Sequence, residues 1–204
     1  MLFRKIQETI SALDFNTITE DRKILLRNLI DYTREKVNRG SIIQLNFICT
    51  HNSRRSQLGQ VWAQVMGNYY QIPLQSFSGG TEVTACHENT IKTLQKSGFK
   101  ITSMRASDNP KYICQFSNDK PHIQLFSKLF DNDANPKSEF AAIMTCGHAE
   151  ENCPFVPGCE KRIALTYEDP KKYDNTDLQE EKYLERSLQI ATELKYVFDK
   201  IQKQ

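Results

Sequence analysis

The feature that most restricts the fold is a short, largely apolar run at residues 42–48, followed by a polar loop and an amphipathic helix. A run this short and apolar is typical of a strand buried in a sheet. After the loop at 49–56, apolar side chains recur three and four residues apart from Leu58 to Tyr69, which predicts a helix with one buried stripe. Residues 73–78, ended by Gly79 and Gly80, have the composition of a second strand. Strand, loop, helix and strand in this order predict a parallel crossover unit.

The remaining segments fit the same architecture. Two helices are predicted in residues 1–40, a third at 87–97 and a last one near the C-terminus, while further buried strands are predicted at 140–145 and 162–167. The polar, turn-rich stretch 105–139 is expected to be an insertion with its own strand or short helix. The sequence therefore predicts an α/β protein with a central parallel sheet flanked by helices. Residues 1–40 would form an N-terminal helical extension to an α/β domain at 41–204.

Composition argues against several classes of protein. Lys and Arg total 27 against 25 for Asp and Glu, a balance untypical of general nucleic-acid-binding proteins. No segment approaches the roughly 18 apolar residues of a membrane span, and no signal-peptide pattern is present near the N-terminus. We therefore expect a cytoplasmic protein without a nucleic-acid or membrane partner. In that compartment the six cysteines are more often catalytic, redox-active, metal-binding or core residues than disulfides.

The loop after the first predicted strand contains Cys49 and, six residues later, Arg55. In open parallel sheets, ligands bind beyond the carboxyl ends of the strands, where this loop must lie. Its N–H groups at a helix start would bind an anion, and Arg55 would add a planar fork for a tetrahedral oxyanion. The same positive field would lower the pKa of Cys49, and Ser56 could donate a hydrogen bond to its thiolate. The alternative is a buried cysteine at a strand end beside two solvated arginines.

A second cysteine-rich segment follows the strand predicted at 140–145. Cys146 and Cys153 lie seven residues apart in a polar loop. They could pair only if this loop folds back or rearranges, because a disulfide needs Cα atoms within about 7 Å of each other. A zinc site is an alternative that would use Cys146, His148, Cys153 and Cys159, although it lacks close cysteine pairs. Unrelated thiols in a loop are the simplest alternative.

Loop 49–56 resembles the phosphate-binding loop of low-molecular-weight protein tyrosine phosphatases and of thioredoxin-coupled arsenate reductases, which share one fold. Asn52, Arg55 and Ser56 match the motif beside Cys49 as the nucleophile, and the loop follows the first strand as in that family. The resemblance runs from about residue 42 to 203, outside 1–40 and much of 105–139. It implies an oxyanion site formed by Thr50, His51, Asn52, Ser53, Arg54 and Arg55.

The segment from Cys146 to Cys153 is similar to the redox segment of the arsenate reductases, including the proline after the second cysteine. The resemblance implies that Cys49 attacks arsenate and that Cys146 attacks the resulting adduct to release arsenite. Cys153 then attacks Cys146, and thioredoxin, the external reductant, reduces the resulting Cys146–Cys153 disulfide. The resemblance implies no metal or bound cofactor. Asp169, in an Asp-Pro dipeptide, matches the acid that protonates the leaving group. This mechanism predicts a mobile 146–153 loop in the reduced protein.

The sequence departs from the family pattern at several positions. His51 stands where these loops usually have Gly, and Arg54 stands where many reductases have another Cys. Gln60 replaces an acidic residue that helps some reductases to bind potassium, so the resemblance does not carry that cation over. Lys171 and Lys172 follow Asp-Pro, where the phosphatases usually have two aromatic residues that grip phosphotyrosine.

Three functions are compatible with these patterns. The preferred one is a cytoplasmic arsenate reductase that thioredoxin regenerates. The second is a phosphatase that acts on phosphotyrosine or small phosphomonoesters through a Cys49 phosphoenzyme. The third is a non-enzymatic sensor of oxyanions or redox state. Cys86, Cys114 and Cys159 are expected to be core or incidental thiols.

Overall fold

Four parallel strands form the central sheet in the computed structural model, which describes residues 1–104, 107–152 and 155–202. The strands of the described residues are β1 (Ile43–Cys49), β2 (Leu74–Gly80), β3 (Lys100–Ser103), β4 (Tyr112–Gln115), β5 (Ile123–Leu125), β6 (Phe140–Met144) and β7 (Cys159–Ala164). The central sheet has the order β2-β1-β6-β7, with β1 paired in parallel to both β2 and β6. The predicted parallel sheet is confirmed.

Helices cover this sheet and extend it at the N-terminus. The α-helices of the described residues are α1 (Arg4–Ala12), α2 (Glu20–Asn38), α3 (Arg55–Tyr69), α4 (Glu88–Lys96), α5 (Gly147–Asn152) and α6 (Gln179–Gln202). Two short 3-10 helices, Phe15–Thr17 and Pro170–Tyr173, connect longer elements. None of the helices in the described ranges has both the length and the apolar character that crossing a membrane requires.

The stripe predicted on α3 packs against the sheet and against α6. Its apolar side chains are fully buried at Leu58, Val61, Trp62, Val65 and Met66. The Trp62 indole N–H donates a 2.9 Å hydrogen bond to the hydroxyl of Ser187 in α6. Gly59 lets α3 approach β1 closely, because a Cβ at this position would lie 2.4 Å from the Phe47 ring. This packing fixes where α3 begins, directly after the loop that contains Cys49.

The N-terminal helices belong to the same hydrophobic core as the central sheet. Their buried side chains include Ile6, Ile10, Leu26 and Leu29. Arg22 of α2 pairs with the Glu193 carboxylate of α6 at 2.6 Å, and the Glu193 side chain is almost completely buried. The extension at 1–40 thus packs onto α6 and the main core.

A second sheet lies in and beside the predicted insertion. It is antiparallel, in the order β3-β4-β5, and residues 105–139 supply β4 and β5 while β3 precedes them. The chain after β5 then returns to the central sheet, where the Gly80 N–H donates to the Lys128 carbonyl at 2.8 Å. The Phe130 N–H in turn donates to the Gly80 carbonyl at 2.9 Å. The insertion therefore reaches the end of β2, next to the Cys49 loop.

Candidate active site

Cys49 ends β1, and the loop that follows it leads directly into α3. The residue is buried, with 4% exposed, and its Sγ lies 3.1 Å from Oγ of Ser56 in the first turn of α3. Asn52 donates from Nδ2 to the same oxygen at 2.8 Å, so the hydroxyl proton of Ser56 can point at the sulfur. The Cys49 sulfur thus has a hydroxyl oriented toward it at the start of α3.

Asn52 also sets the shape of the loop. Its φ of 46° lies in the left-handed region, which Asn adopts more readily than most residues. Its Oδ1 accepts a 3.0 Å hydrogen bond from the Lys128 N–H, and its carbonyl accepts a 2.9 Å hydrogen bond from Nε2 of Gln57. Gly80 allows the close packing here, because a Cβ would lie 2.5 Å from the Thr50 carbonyl oxygen.

The loop backbone provides hydrogen-bond donors for an anion. Among the described residues, no N–H of residues 50–55 donates to another protein group. Backbone N–H groups require acceptors, and those at the start of a helix carry a partial positive charge. The loop therefore has the properties of an oxyanion site.

Arg55, at the start of α3, lies beside the predicted acid. Its Nη2 donates to Oδ2 of Asp169 at 2.5 Å, and its Nη1 donates to the carbonyl of Tyr167 at 2.9 Å. The Nε atom is buried without a hydrogen-bond partner. A guanidinium has five N–H donors, so donors remain on Arg55 for an oxyanion. Asp169 is partly exposed and begins the 3-10 helix Pro170–Tyr173.

These groups converge on one small opening. The opening is lined by Cys49, His51, Ser53, Arg54, Arg55 and Asp169. The structure thus brings together the predicted nucleophile, the predicted guanidinium and the predicted acid. An oxyanion there would contact all three kinds of group.

The Arg54 side chain takes part in a buried network of hydrogen bonds and an ion pair. Its Nε donates to the Tyr183 hydroxyl oxygen at 2.5 Å, and its Nη2 pairs with Asp174 at 2.7 Å. The Tyr183 hydroxyl donates to the same carboxylate at 2.6 Å. Since its guanidinium is neutralised, Arg54 would meet an oxyanion through its backbone N–H.

His51 and Ser53 connect the loop to the chain after β2. The Ser53 hydroxyl donates to the Ala85 carbonyl at 2.6 Å, and Nε2 of His51 lies 3.4 Å from the Glu82 carboxylate. These side chains therefore tie down the loop, while their backbone lines the opening.

Cys146 follows β6, the strand that pairs with β1 on the side opposite β2. The residue is buried, with 2% exposed, and its Sγ lies 3.5 Å from the hydroxyl oxygen of Thr50. Thr50 also lies 3.4 Å from Nδ1 of His148. One loop threonine thus contacts both the second cysteine and a neighbouring imidazole.

Strand register brings the segment that contains Cys146 next to the Cys49 loop. Ile48 of β1 pairs with Met144 of β6, and the Thr145 N–H donates to the Ile48 carbonyl at 2.7 Å. Cys146 therefore follows the strand adjacent to the one that Cys49 ends.

The predicted loop after Cys146 is wrong, because residues 147–152 form α5. The Cys146 Sγ accepts a 3.3 Å hydrogen bond from the Ala149 N–H, so the cysteine caps this helix. Arg162 on β7 pairs with Glu150 of α5 at 2.8 Å, which joins the helix to the central sheet. The second predicted relay cysteine, Cys153, lies outside the described residues.

The other described cysteines lie in less reactive surroundings. Burial raises the pKa of the Cys86 thiol to about 12 and also raises the pKa of Cys114. Burial raises the pKa of the half-buried Cys159 as well. Within the described ranges, no three His, Cys, Asp or Glu side chains are grouped as metal ligands.

Part of the support for the loop comes from residues that belong to no sequence motif. The Ser127 hydroxyl donates to the His51 carbonyl at 2.7 Å, next to the bond from Lys128 to Asn52. Asn109 holds Ser127 through two further hydrogen bonds. The one sequence signal was the apolar piece at 123–130, whose interruption by Ser127 and Lys128 marks where it meets polar groups.

Comparisons with known proteins point to the same family. No family model matches the sequence. The chain is 28% identical over 138 residues to an arsenate reductase of Halalkalibacterium halodurans, covering 67% of this chain and 79% of that protein. It is 29% identical, with the same coverage, to an arsenate reductase of Oceanobacillus iheyensis.

Solved structures share the fold. A low-molecular-weight phosphotyrosine phosphatase from Vibrio cholerae superposes with a TM-score of 0.51 at 13% identity, covering 79% of this chain and 97% of that one. A mutant of YwlE from Bacillus subtilis gives 0.52 at 10% identity, covering 79% and 99%. These structures show that the chain has the fold of the low-molecular-weight phosphatases, and its similarity to the curated arsenate reductases supports the resemblance of the Cys49 loop to that superfamily.

Proposed function

We propose that the protein is an arsenate reductase that uses Cys49, Cys146 and Cys153 in a thiol relay, with thioredoxin as the external reductant. The observation that carries the proposal is the position of Cys146, at the end of the strand next to β1 and in contact with Thr50 of the loop. A phosphatase needs one nucleophilic cysteine, whereas a reductase needs further thiols to supply electrons.

The first step requires the loop, Arg55 and Asp169. Arsenate binds to the backbone N–H groups of the loop and to the remaining donors of Arg55. The Cys49 thiolate attacks arsenic, a sulfur–arsenic bond forms, and one oxygen leaves as water after Asp169 supplies a proton. Arg55 holds Asp169 at 2.5 Å, at the opening from which this oxygen would leave.

The second step moves two electrons to arsenic. The Cys146 thiolate attacks Sγ of Cys49, a disulfide forms between them, and the electron pair of the sulfur–arsenic bond stays on arsenic as arsenite leaves. Thr50 contacts Cys146 at 3.5 Å and His148 at 3.4 Å, so a proton acceptor lies within reach of the attacking thiol.

The third step requires α5 to unwind. Cys153 attacks Cys146, releases Cys49 as a thiolate and leaves a disulfide that a thioredoxin dithiol reduces. If the helix continued from Cys146 to Cys153, its rise would separate their Cα atoms by about 10 Å, too far for a disulfide. A single turn or two of helix is marginally stable alone, so this rearrangement is accessible.

A phosphatase activity is the second candidate, because Cys49, Arg55 and Asp169 line one opening and phosphate transfer through a cysteine needs no further thiol. Lys171 and Lys172, which follow Pro170, are exposed and provide no aromatic grip for phosphotyrosine. This favours a small oxyanion as the substrate.

Turnover by wild type, Cys146→Ser and the control Cys159→Ser tests the proposal. Wild type and Cys159→Ser should reduce arsenate with thioredoxin, and Cys146→Ser should not. Hydrolysis of an aryl phosphate, if present, should survive in Cys146→Ser. Undiminished arsenate turnover in Cys146→Ser would contradict the relay, while hydrolysis without any arsenate turnover in wild type would favour the phosphatase.

A further inference from the structure

Lys128 is a buried lysine directly behind the oxyanion loop. It follows β5, and 4% of the residue is exposed. Its ammonium donates to the Ser78 hydroxyl oxygen on β2 at 3.4 Å and lies 4.6 Å from the centre of the Phe126 ring. In the part of the chain that the structure describes, no carboxylate pairs with it, and burial lowers its pKa to about 8.

The backbone of Lys128 is bonded to the loop itself. Its N–H donates to Oδ1 of Asn52, and its carbonyl accepts from the Gly80 N–H. The adjacent Phe126 carbonyl accepts a 2.9 Å hydrogen bond from Nε2 of Gln57, just after the loop. The main chain around Lys128 therefore holds the loop through short, direct hydrogen bonds.

The surroundings of Lys128 do not suit a free potassium ion, although some reductases that the chain resembles bind one. The neutral Gln60 accepts a 2.6 Å hydrogen bond from the Ser78 hydroxyl. The oxygen of the same hydroxyl accepts a hydrogen bond from the Lys128 ammonium. A monovalent cation needs oxygen ligands and is repelled by a neighbouring ammonium. This group of side chains offers an amide, a hydroxyl and a positive charge.

We propose that the Lys128 ammonium is a tethered cation that replaces a free monovalent cation behind the loop. Lys128 is then a positioning residue with two effects. Its backbone keeps Asn52 in the left-handed conformation, and its charge raises the affinity of the loop for an oxyanion. The proposal rests on the oxyanion-binding part of the proposed function and not on the thiol relay.

Phosphate binding measured by calorimetry at pH 7 tests this role. Wild-type affinity for inorganic phosphate should agree within about twofold in potassium, sodium and choline chloride of equal ionic strength. Lys128→Met should bind phosphate about tenfold more weakly while melting no lower than wild type. Lys128→Arg, which keeps the charge, should stay within about threefold of wild type.

Lys111→Met is the matched control. The Lys111 ammonium lies 4.8 Å from the same Phe126 ring but on an exposed residue, so its loss should leave phosphate affinity unchanged. An equal loss of affinity in this control would assign the effect to general surface charge and overturn the proposal.

Three other results would also overturn it. The first is a phosphate affinity of wild type more than fivefold higher in potassium chloride than in choline chloride. The second is an unchanged phosphate affinity in folded Lys128→Met. The third is a phosphate affinity of Lys128→Arg as low as that of Lys128→Met. The potassium comparison needs no variant, so it decides the matter even if Lys128→Met does not fold. A wild type that binds no phosphate would instead refute the proposed oxyanion site.

Discussion

Replacing Lys128 with Met should stabilise the protein at neutral pH. The lysine is buried without a carboxylate partner among the described residues, and burial lowers its pKa from 10.5 to about 8. Because each pKa unit corresponds to about 1.4 kcal/mol, holding the charged form at pH 7 costs the folded state about 3 kcal/mol. Methionine fills a similar unbranched volume without a charge, so most of this penalty should be recovered.

The stabilisation should vanish as pH rises. The pKa of Lys128 is lower in the folded than in the unfolded state, so its penalty is complete below pH 8 and fades between pH 8 and 10.5. Cys86, the thiol that acts electrostatically on Lys128, stays protonated across most of this range because burial raises its pKa to about 12.

Urea unfolding of wild type and Lys128→Met at pH 7 and pH 10 measures the difference. The variant should be more stable by about 3 kcal/mol at pH 7 and by less than about 1 kcal/mol at pH 10. A less stable variant at pH 7, or a difference that does not change with pH, would refute the reasoning that this ammonium is buried and uncompensated.

Three further predictions concern the loop. Arg55→Lys should weaken phosphate binding roughly tenfold or more by calorimetry, because a point charge cannot replace a planar fork of donors; unchanged affinity would move the anion site elsewhere. Limiting alkylation at pH 6 with mass-spectrometric mapping should label Cys49 before Cys86 and Cys114, and bound phosphate should protect it. Earlier labelling of either buried thiol would contradict the nucleophile assignment. Arg54→Met should lower the free energy of unfolding by about 2 kcal/mol, since it removes the guanidinium that pairs with the partly buried Asp174 carboxylate; a loss below about 1 kcal/mol in chemical denaturation would show that the network is not structural.

The elements around Cys49 could be predicted because the apolar residues of each follow the pattern of one type of secondary structure. The apolar run of β1 and the stripe of α3 from Leu58 to Met66 bury the side chains that the pattern selected. Strand β7 was less clear, since it is largely half-exposed and runs over Cys159–Ala164 rather than the predicted 162–167. Partial burial weakens the pattern that periodicity depends on.

The second sheet and α5 could not be predicted for different reasons. Strand β3 has mostly exposed side chains, and β5 is only three residues long, so neither has a clear apolar pattern. Helix α5 depends on tertiary contacts, with Cys146 as its cap and Arg162 against Glu150. Such contacts override local composition, which favoured a loop.

The functional residues divide in the same way. Cys49, Arg55 and Asp169 belong to short motifs whose spacing is visible in the sequence, and the structure places them around one opening. Lys128 carries no such signal, because its importance comes from burial and from its bond to Asn52, nearly eighty residues away. Long-range support of this kind becomes visible only once the fold is known.

The most direct test of the proposed thiol relay is peptide mapping of arsenate-treated Cys153→Ser under non-reducing conditions. Without its final attacking thiol, the relay should stop after one turnover with a disulfide between Cys49 and Cys146. Cys159→Ser, treated in the same way, should show no accumulation of that link once thioredoxin is added. A Cys49–Cys146 disulfide in Cys153→Ser is the result we predict. Its absence, together with undiminished arsenate turnover by Cys153→Ser, would contradict the relay and favour a phosphatase.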